Sequence, residues 1–364
     1  MIPLIVDLEM EWRGGQNQAL LLLKGLYERG HAAELVAAKG SSLGHRARKA
    51  NIYVHHVSRG TLQLSAASKI RSILRDGRIE LVHANEAHAV TAAWLGGAPR
   101  KVPFVISRRV GYPLGQSWIA QKRYRAASCI IANSQWVADQ AAASGAQKDK
   151  LRVAYEGVVI PERTSPELRM AARHRWGVAG DAPLLGCAGV LLPDKGQEWL
   201  IRALVEIRKE FPGARLLLAG DGPMRKELEA LTNTLRLGDA VIFAGFVRDV
   251  ESVYAALDVF LLPSFFEALN NSLLAAMAHA VPSIAFRRGA LAEIIEDGKS
   301  GLIVSGPEVQ EICEAVARIL RDRDFARNLG EAGRTRVIEN FSADSMVERM
   351  VEIYDEMLRG RPAL

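Results

Sequence analysis

Cysteine is scarce in this 364-residue chain: only Cys129, Cys187 and Cys313 are present, far apart and without a CxxC pair. A disulfide-stapled scaffold and a thiolate zinc centre are both excluded, and buried, reduced thiols in a cytosolic protein are the expectation. No His cluster points to another metal site. Long hydrophobic runs are missing too, since no apolar stretch approaches the roughly 20 residues a membrane-spanning helix needs. The N-terminus has no basic segment leading into an apolar one, because Met1–Leu8 reads as a strand, so no secretory signal is expected. No Gly-x-Gly-x-x-Gly follows that strand, which disfavours a dinucleotide-dependent dehydrogenase.

What remains is the composition of a soluble globular enzyme: 49% hydrophobic and 24% charged, with 31 Gly and 14 Pro spread along the chain. The length suits two domains. The net charge of +6 is unevenly divided. Residues 1–165 carry 23 Lys and Arg against 12 Asp and Glu, and the remainder 24 against 29, giving +11 and −5. The basic first half suits an anionic partner such as a phospholipid surface, a phosphorylated glycolipid or a nucleic acid.

Short apolar runs alternate with helix-patterned segments from end to end. Strands are predicted at Pro3–Leu8, Ala33–Ala37, Ile52–Val57, Leu81–Ala84, Val102–Ser107, Ile130–Asn133 and Leu151–Ala154. A second series follows at Leu184–Gly189, Ala214–Ala219, Val241–Phe243, Val259–Leu262, Val281–Ala285 and Gly301–Val304. Such strand–helix alternation predicts two doubly wound α/β sheets. The break at Glu156–Pro166 sets an N-terminal domain over 1–160 and a C-terminal one over 167–340. Residues 341–364 end a helical stretch beginning at Asp324, and are expected to pack back across the linker.

Ligands in open α/β sheets bind outside the carboxyl ends of the strands, so the residues after each strand carry the chemistry. After the first strand come Trp12, Arg13, Gly14 and Gly15, where bare amides at a helix start suit an anion. In the second half, Gly189-Val-Leu-Leu-Pro-Asp-Lys195-Gly196 joins a strand to a helix and sets an ammonium where it can reach phosphates. The turn containing Gly220 again joins strand to helix. Leu262-Pro-Ser-Phe-Phe-Glu267 leads through Leu269, Asn270 and Asn271 into the helix Ser272–His279, a carboxylate and exposed amides side by side.

This ordered set, completed by Ala276–Pro282 and Glu293–Leu302, resembles the family 4 retaining glycosyltransferases of the GT-B fold, in which two Rossmann-like domains face each other across a cleft. The resemblance covers nearly the whole chain and is most specific in the second half; Trp12–Asn17 and Ser107–Arg109 give it a bacterial lipopolysaccharide or glycolipid flavour. It implies a metal-independent sugar transfer from a nucleotide-diphosphate sugar, a UDP-sugar foremost, to a glycolipid, lipopolysaccharide-core or glycan acceptor, without a cofactor. By the same resemblance Lys195 pairs with the donor diphosphate, Glu267 binds sugar hydroxyls, and Leu269, Asn270 and Asn271 lie near sugar and phosphates. Gly14 and Gly15 close on the diphosphate, with Gly189 and Gly220 shaping the donor loops.

His83 is expected to face the cleft as a third catalytic residue, and Arg108, Arg109 and Trp12 to meet the acceptor. The expected partners are the nucleotide sugar, the acceptor and an anionic membrane surface, with no nucleic acid. The expected location is the cytoplasm, peripheral on the inner face of the membrane, with Arg108, Arg109, Lys122, Arg123 and Arg125 as contacts. Three departures from the family pattern stand out. Val190 replaces an Arg, Ala275 replaces a second Glu that binds the nucleotide ribose, and Arg108 and Arg109 stand where many members carry a His. Val190 and Ala275 motivate one alternative, a nucleotide-sugar or glycan-binding protein with weakened turnover; a sugar-nucleotide epimerase of the same fold is another.

Overall fold

The computed structural model describes residues 1–58, 62–115 and 117–360, so the last four residues of the 341–364 segment lie outside the described residues. It divides into two compact units. Residues 1–157 and 342–364 form the first and residues 158–341 the second.

The first unit is built on seven parallel strands: β1 (Pro3–Asp7), β2 (Glu34–Ala38), β3 (Tyr53–Val57), β4 (Leu81–Ala84), β5 (Phe104–Arg108), β6 (Cys129–Ala132) and β7 (Leu151–Val153). Their order is β3-β2-β1-β4-β5-β6-β7. β1, β2, β4 and β6 are buried along their whole length, as expected of a parallel sheet covered by helices on both faces. The order reverses between β1 and β4, the kind of switch point at which open α/β sheets bind ligands.

The second unit repeats the design with β8 (Leu184–Ala188), β9 (Arg215–Ala219), β10 (Val241–Gly245), β11 (Val259–Leu262), β12 (Ser283–Phe286) and β13 (Leu302–Val304). All pairings are parallel, in the order β10-β9-β8-β11-β12-β13. Its switch point lies between β8 and β11.

Each predicted strand is present, displaced by at most two residues at an end. The helices differ more. The first runs over Gly14–Glu28, so both glycines are its opening residues. The helical stretch from Asp324 is two helices, Arg323–Asn340 and Ala343–Arg359, broken at Phe341–Ser342. Ser342 caps the second by accepting from the Ser345 amide, and the break coincides with the passage between units. Helix Ala343–Arg359 then packs Met346, Val347, Met350, Ile353 and Tyr354 into one core with Leu22, Leu23 and Leu26 of helix Gly14–Glu28. Among the described residues, no helix is long and apolar enough to cross a membrane.

Candidate functional site

In the second unit, the loops leaving β8, β9 and β11 are tied into one platform. The Gly189 amide donates to the Ala219 carbonyl at 2.9 Å, and the Leu191 amide to the Asp221 carbonyl at 3.1 Å. Gly220, at φ +151°, packs so closely that a Cβ there would lie 1.9 Å from the Gly189 carbonyl oxygen. Only glycine satisfies both its backbone angle and that approach. Gly196 is placed the same way, at φ +66° with a Cβ position 2.3 Å from the Pro263 carbonyl oxygen. The Phe265 amide donates to the Asp194 carbonyl at 2.9 Å, closing the loop after β8 onto the loop after β11.

That closure brings Lys195 to Glu267. The Lys195 Nζ donates to Glu267 Oε1 at 2.8 Å, and Asp194 Oδ2 lies 3.8 Å from the same ammonium. Glu267 is only 7% exposed, and Asn270 Nδ2 donates to its Oε1 at 3.0 Å. Asn270 also caps helix Asn271–Ala278 by accepting from the Leu273 amide. Leu269 is buried beneath this turn, and Asn271 opens the helix. A cation, a carboxylate and a helix N-terminus thus converge at the switch point of the sheet, a combination whose chemistry suits a phosphorylated ligand. Cys187, near the end of β8, is buried next to this pair; burial, reinforced by the Glu267 charge, pushes its thiol up to about 12. Val190 is exposed, and Ala275 lies half-buried one helical turn after Asn271.

The first unit carries its own polar network at the switch point of β1 and β4. Asp7 Oδ2 accepts from Gln16 Nε2 at 2.9 Å and from Asn85 Nδ2 at 2.6 Å. Asn85 Nδ2 also donates to the Gly15 carbonyl at 3.2 Å, fixing the opening turn of helix Gly14–Glu28. Burial raises the Asp7 carboxyl above its ordinary value, with the Asn85 and Gln16 hydrogen bonds opposing it. Arg13 provides no side-chain cap to that helix, so the Gly14 and Gly15 amides stay available.

Arg109 belongs to this network. Its Nη1 donates to the Asn85 carbonyl at 2.8 Å, and its Nε pairs with Glu156 Oε1 at 3.0 Å. Trp12 stacks under the Arg46 guanidinium, 4.2 Å from ring centroid to Cζ.

Two expected ligand contacts are corrected. His83 is 0% exposed, with Nδ1 at 2.5 Å from the Tyr354 hydroxyl and Nε2 at 2.7 Å from Ser107 Oγ. With both ring nitrogens engaged it presents nothing to a ligand, and helix Ala343–Arg359 is what covers it. Burial, with a smaller contribution from the Arg109 charge, lowers its pKa to about 3. Arg108 is 8% exposed and donates to the Tyr112 carbonyl and, at 3.4 Å, to the Tyr124 hydroxyl. It therefore braces the segment after β5 from within.

Sequence reasoning did not single out Asp7, Gln16, Asn85 and Glu156, whose importance comes from pairing across strands. Asp7 and Asn85 do carry one readable signal: each is a polar residue directly at the end of an apolar strand next to the switch point.

The comparisons with known proteins agree with this architecture. A glycosyltransferase from Rickettsia africae superposes with a TM-score of 0.87 at 21% identity, covering 99% of each chain. The Anabaena protein HepE, solved in complex with UDP, superposes at 0.84 with 22% identity over 98% of this chain and 100% of its own. The GDP-mannose-dependent α-(1-6)-phosphatidylinositol monomannoside mannosyltransferase of Mycolicibacterium smegmatis is 33% identical over 207 residues. That alignment takes in 54% of either chain, so this chain spans about half the length of that relative. The lipopolysaccharide core biosynthesis glycosyltransferase LpsE of Rhizobium meliloti is 28% identical over 80% of this chain and 81% of its own. Residues 12–160 match the model of Glycosyltransferase Family 4 and residues 182–322 that of Glycosyl transferases group 1; the chain thus carries both of these glycosyltransferase domains, on the GT-B fold of its structural neighbours.

Proposed function

We propose that the protein transfers a sugar from a nucleotide-diphosphate sugar to a glycolipid, lipopolysaccharide-core or glycan acceptor, with retention of anomeric configuration and without a metal ion. The observation that carries this reading is the Lys195–Glu267 pair beside the N-terminus of helix Asn271–Ala278. In such a transfer the acceptor hydroxyl attacks the anomeric carbon, the bond to the diphosphate breaks, and the leaving phosphate oxygen takes up the hydroxyl proton. Negative charge builds on the diphosphate. Lys195 and the amides of Leu269–Asn271 oppose it as preorganised positive charge, the largest single contribution to rate in sites of this kind. Glu267 accepts from sugar hydroxyls while keeping Lys195 in place, and Gly189 and Gly220 give the diphosphate room against the backbone. Gly14 and Gly15 present their amides as a second anion cradle. Arg109 and Trp12 are proposed to border the acceptor.

The donor proposed is a UDP-sugar, supported by the UDP held by HepE; the relatives named as GDP-mannose-dependent make GDP-mannose the alternative to be tested beside it. Peripheral attachment to an anionic membrane is also proposed. Helix Trp118–Arg125 supports it, with Trp118 70% exposed, Ile119 half-exposed and Lys122 4.6 Å over the Trp118 ring. Arg123 is not among its outward charges, since it turns inward to donate to Thr91 Oγ1.

The deciding experiment mixes the protein with UDP- and GDP-sugars and a phosphatidylinositol-, lipopolysaccharide- or glycan-derived acceptor, and measures nucleoside diphosphate release. Acceptor-dependent release, unchanged by a chelator and giving a product with the donor's anomeric configuration, is expected. Val190 and Ala275 favour one second reading, a nucleotide-sugar-binding protein without turnover. Tight donor binding with no release under any pairing would establish that reading and reject the transferase.

A further inference from the structure

A basic hollow lies outside the two switch points. Lys39 and Gly40 directly follow β2, His56 lies in β3, and His45, Arg48 and Lys49 come from helix Ser42–Lys49; together they line a cavity of about 580 Å³. Among the described residues, no acidic one lines it. His45, Arg48 and Lys49 stand at i, i+3 and i+4, so they share one helix face, while Arg46 turns aside onto the Trp12 ring. Between Glu34 and Asp76 the sequence has no Asp or Glu, against eight Lys and Arg and three His. In the second unit, by contrast, helix cations are relieved by acids, as Arg225 is by Asp221 and Glu229.

The walls of the hollow are fixed. The Lys39 amide donates to the Val57 carbonyl at 2.9 Å, the Ser42 amide to the Met10 carbonyl at 3.1 Å, and Ser41 caps the helix by accepting from the Gly44 amide. Positive charge is therefore concentrated on a rigid concave surface at the carboxyl ends of β2 and β3. We propose that this hollow is a binding site for phosphoryl groups, of a size suited to a diphosphate or a phosphorylated sugar. Arg48 and Lys49 supply the charge, and the rings of His45 and His56 hydrogen-bond the outer oxygens. The field of the site is visible in His56, whose imidazole is held below its ordinary range by burial and then by the charges of Arg48 and Lys39. This site requires no sugar transfer, so it stands or falls separately from the proposed reaction.

The test follows the histidine ring resonances of the full chain during titration with inorganic pyrophosphate at constant ionic strength. The signals of His45 and His56 are expected to move saturably. Arg48→Gln with Lys49→Gln is expected to weaken the apparent affinity tenfold or more, and Lys39→Gln alone to weaken it severalfold. Lys122→Gln with Arg125→Gln, remote on the surface of the same unit, is expected to leave it unchanged. Sodium chloride reproducing the shifts, or unchanged affinity in the Arg48/Lys49 double variant, would overturn the proposal. Glycerol 3-phosphate and phosphatidylglycerol vesicles then separate the sources of the phosphoryl group. A response to the soluble ester assigns the site to free phosphorylated compounds, a response to vesicles without one to the ester assigns it to lipid headgroups, and no response to pyrophosphate, ester or vesicles rejects it.

Discussion

Lys195 and Glu267, 72 residues apart in sequence, meet at 2.8 Å across the switch point of the second sheet, and the carboxylate of the pair is almost fully buried. The lysine is thus oriented before any ligand arrives. The carboxylate, in turn, depends on the lysine and Asn270 for its compensation.

Replacing Lys195 by Ala is expected to cut sugar transfer by several hundredfold or more, on the order of one strong electrostatic contact to the leaving group. It also leaves Glu267 buried without its cation, so the melting temperature should fall. Adding Glu267→Gln should restore the melting temperature and not the turnover. Steady-state rates and thermal melts of the two variants check this, and turnover within about threefold of the parent for Lys195→Ala would reject the role.

Ala275 leaves room one turn beyond Asn271 on the same helix face. Ala275→Glu is expected to tighten nucleoside diphosphate binding by about 1–3 kcal/mol, the worth of hydrogen bonds to a charged group. Calorimetry with UDP and GDP measures it; unchanged or weaker affinity would mean that position 275 does not face the ribose.

His83 makes the first unit acid-sensitive. Its pKa is about 3 when folded against an ordinary 6.5, so between those values the unfolded chain holds the extra proton. Stability from this group is complete above 6.5 and is lost as pH falls toward 3, with a limiting slope of about 1.4 kcal/mol per pH unit. Asp7 and Glu86, both raised by burial, act in the opposite sense near the acid end. The informative quantity is therefore the difference from His83→Gln, which should show a shallower fall in denaturation midpoint between pH 7 and pH 5. Equal falls in both proteins would remove His83 from the account.

Vesicle co-sedimentation tests the membrane surface. Each exposed basic residue near an anionic leaflet is worth about 1 kcal/mol, and the attraction fades within a Debye length. Lys122→Gln with Arg125→Gln should reduce pelleting with anionic vesicles about tenfold or more at low salt and leave nucleotide binding intact. Trp118→Ala should reduce it at all salt concentrations. Equal pelleting on neutral and anionic vesicles would exclude the electrostatic contribution.

The strands were legible because buried parallel strands are short continuous apolar runs, and Leu81–Ala84 and Val259–Leu262 agree residue for residue. Lys195, Glu267, Gly189 and Gly220 were legible as residues at strand–helix junctions, since their placement follows from chain order alone. His83 was misread because its environment is decided by Tyr354, 271 residues later. Arg108 was misread because Tyr112 and Tyr124 satisfy it after β5 has been placed. The Asp7–Asn85 and Arg109–Glu156 contacts escaped for the same reason: each joins elements brought together only by sheet order. The break at Phe341–Ser342 had a local signal, a Ser N-cap with Asp344 in the first turn, hidden inside a long helical pattern.

The chain leaves the first unit at Gly157 and returns to it only at Ser342, after the whole of the second unit has been made. On the ribosome, the unit whose synthesis starts first is therefore the last able to finish. The second unit is continuous in sequence and can fold while the first still exposes Leu22, Leu23 and Leu26 without Met346, Val347 and Ile353. A stop placed directly after Phe341 should thus yield a protein whose amino-terminal half is caught by proteases while its middle survives.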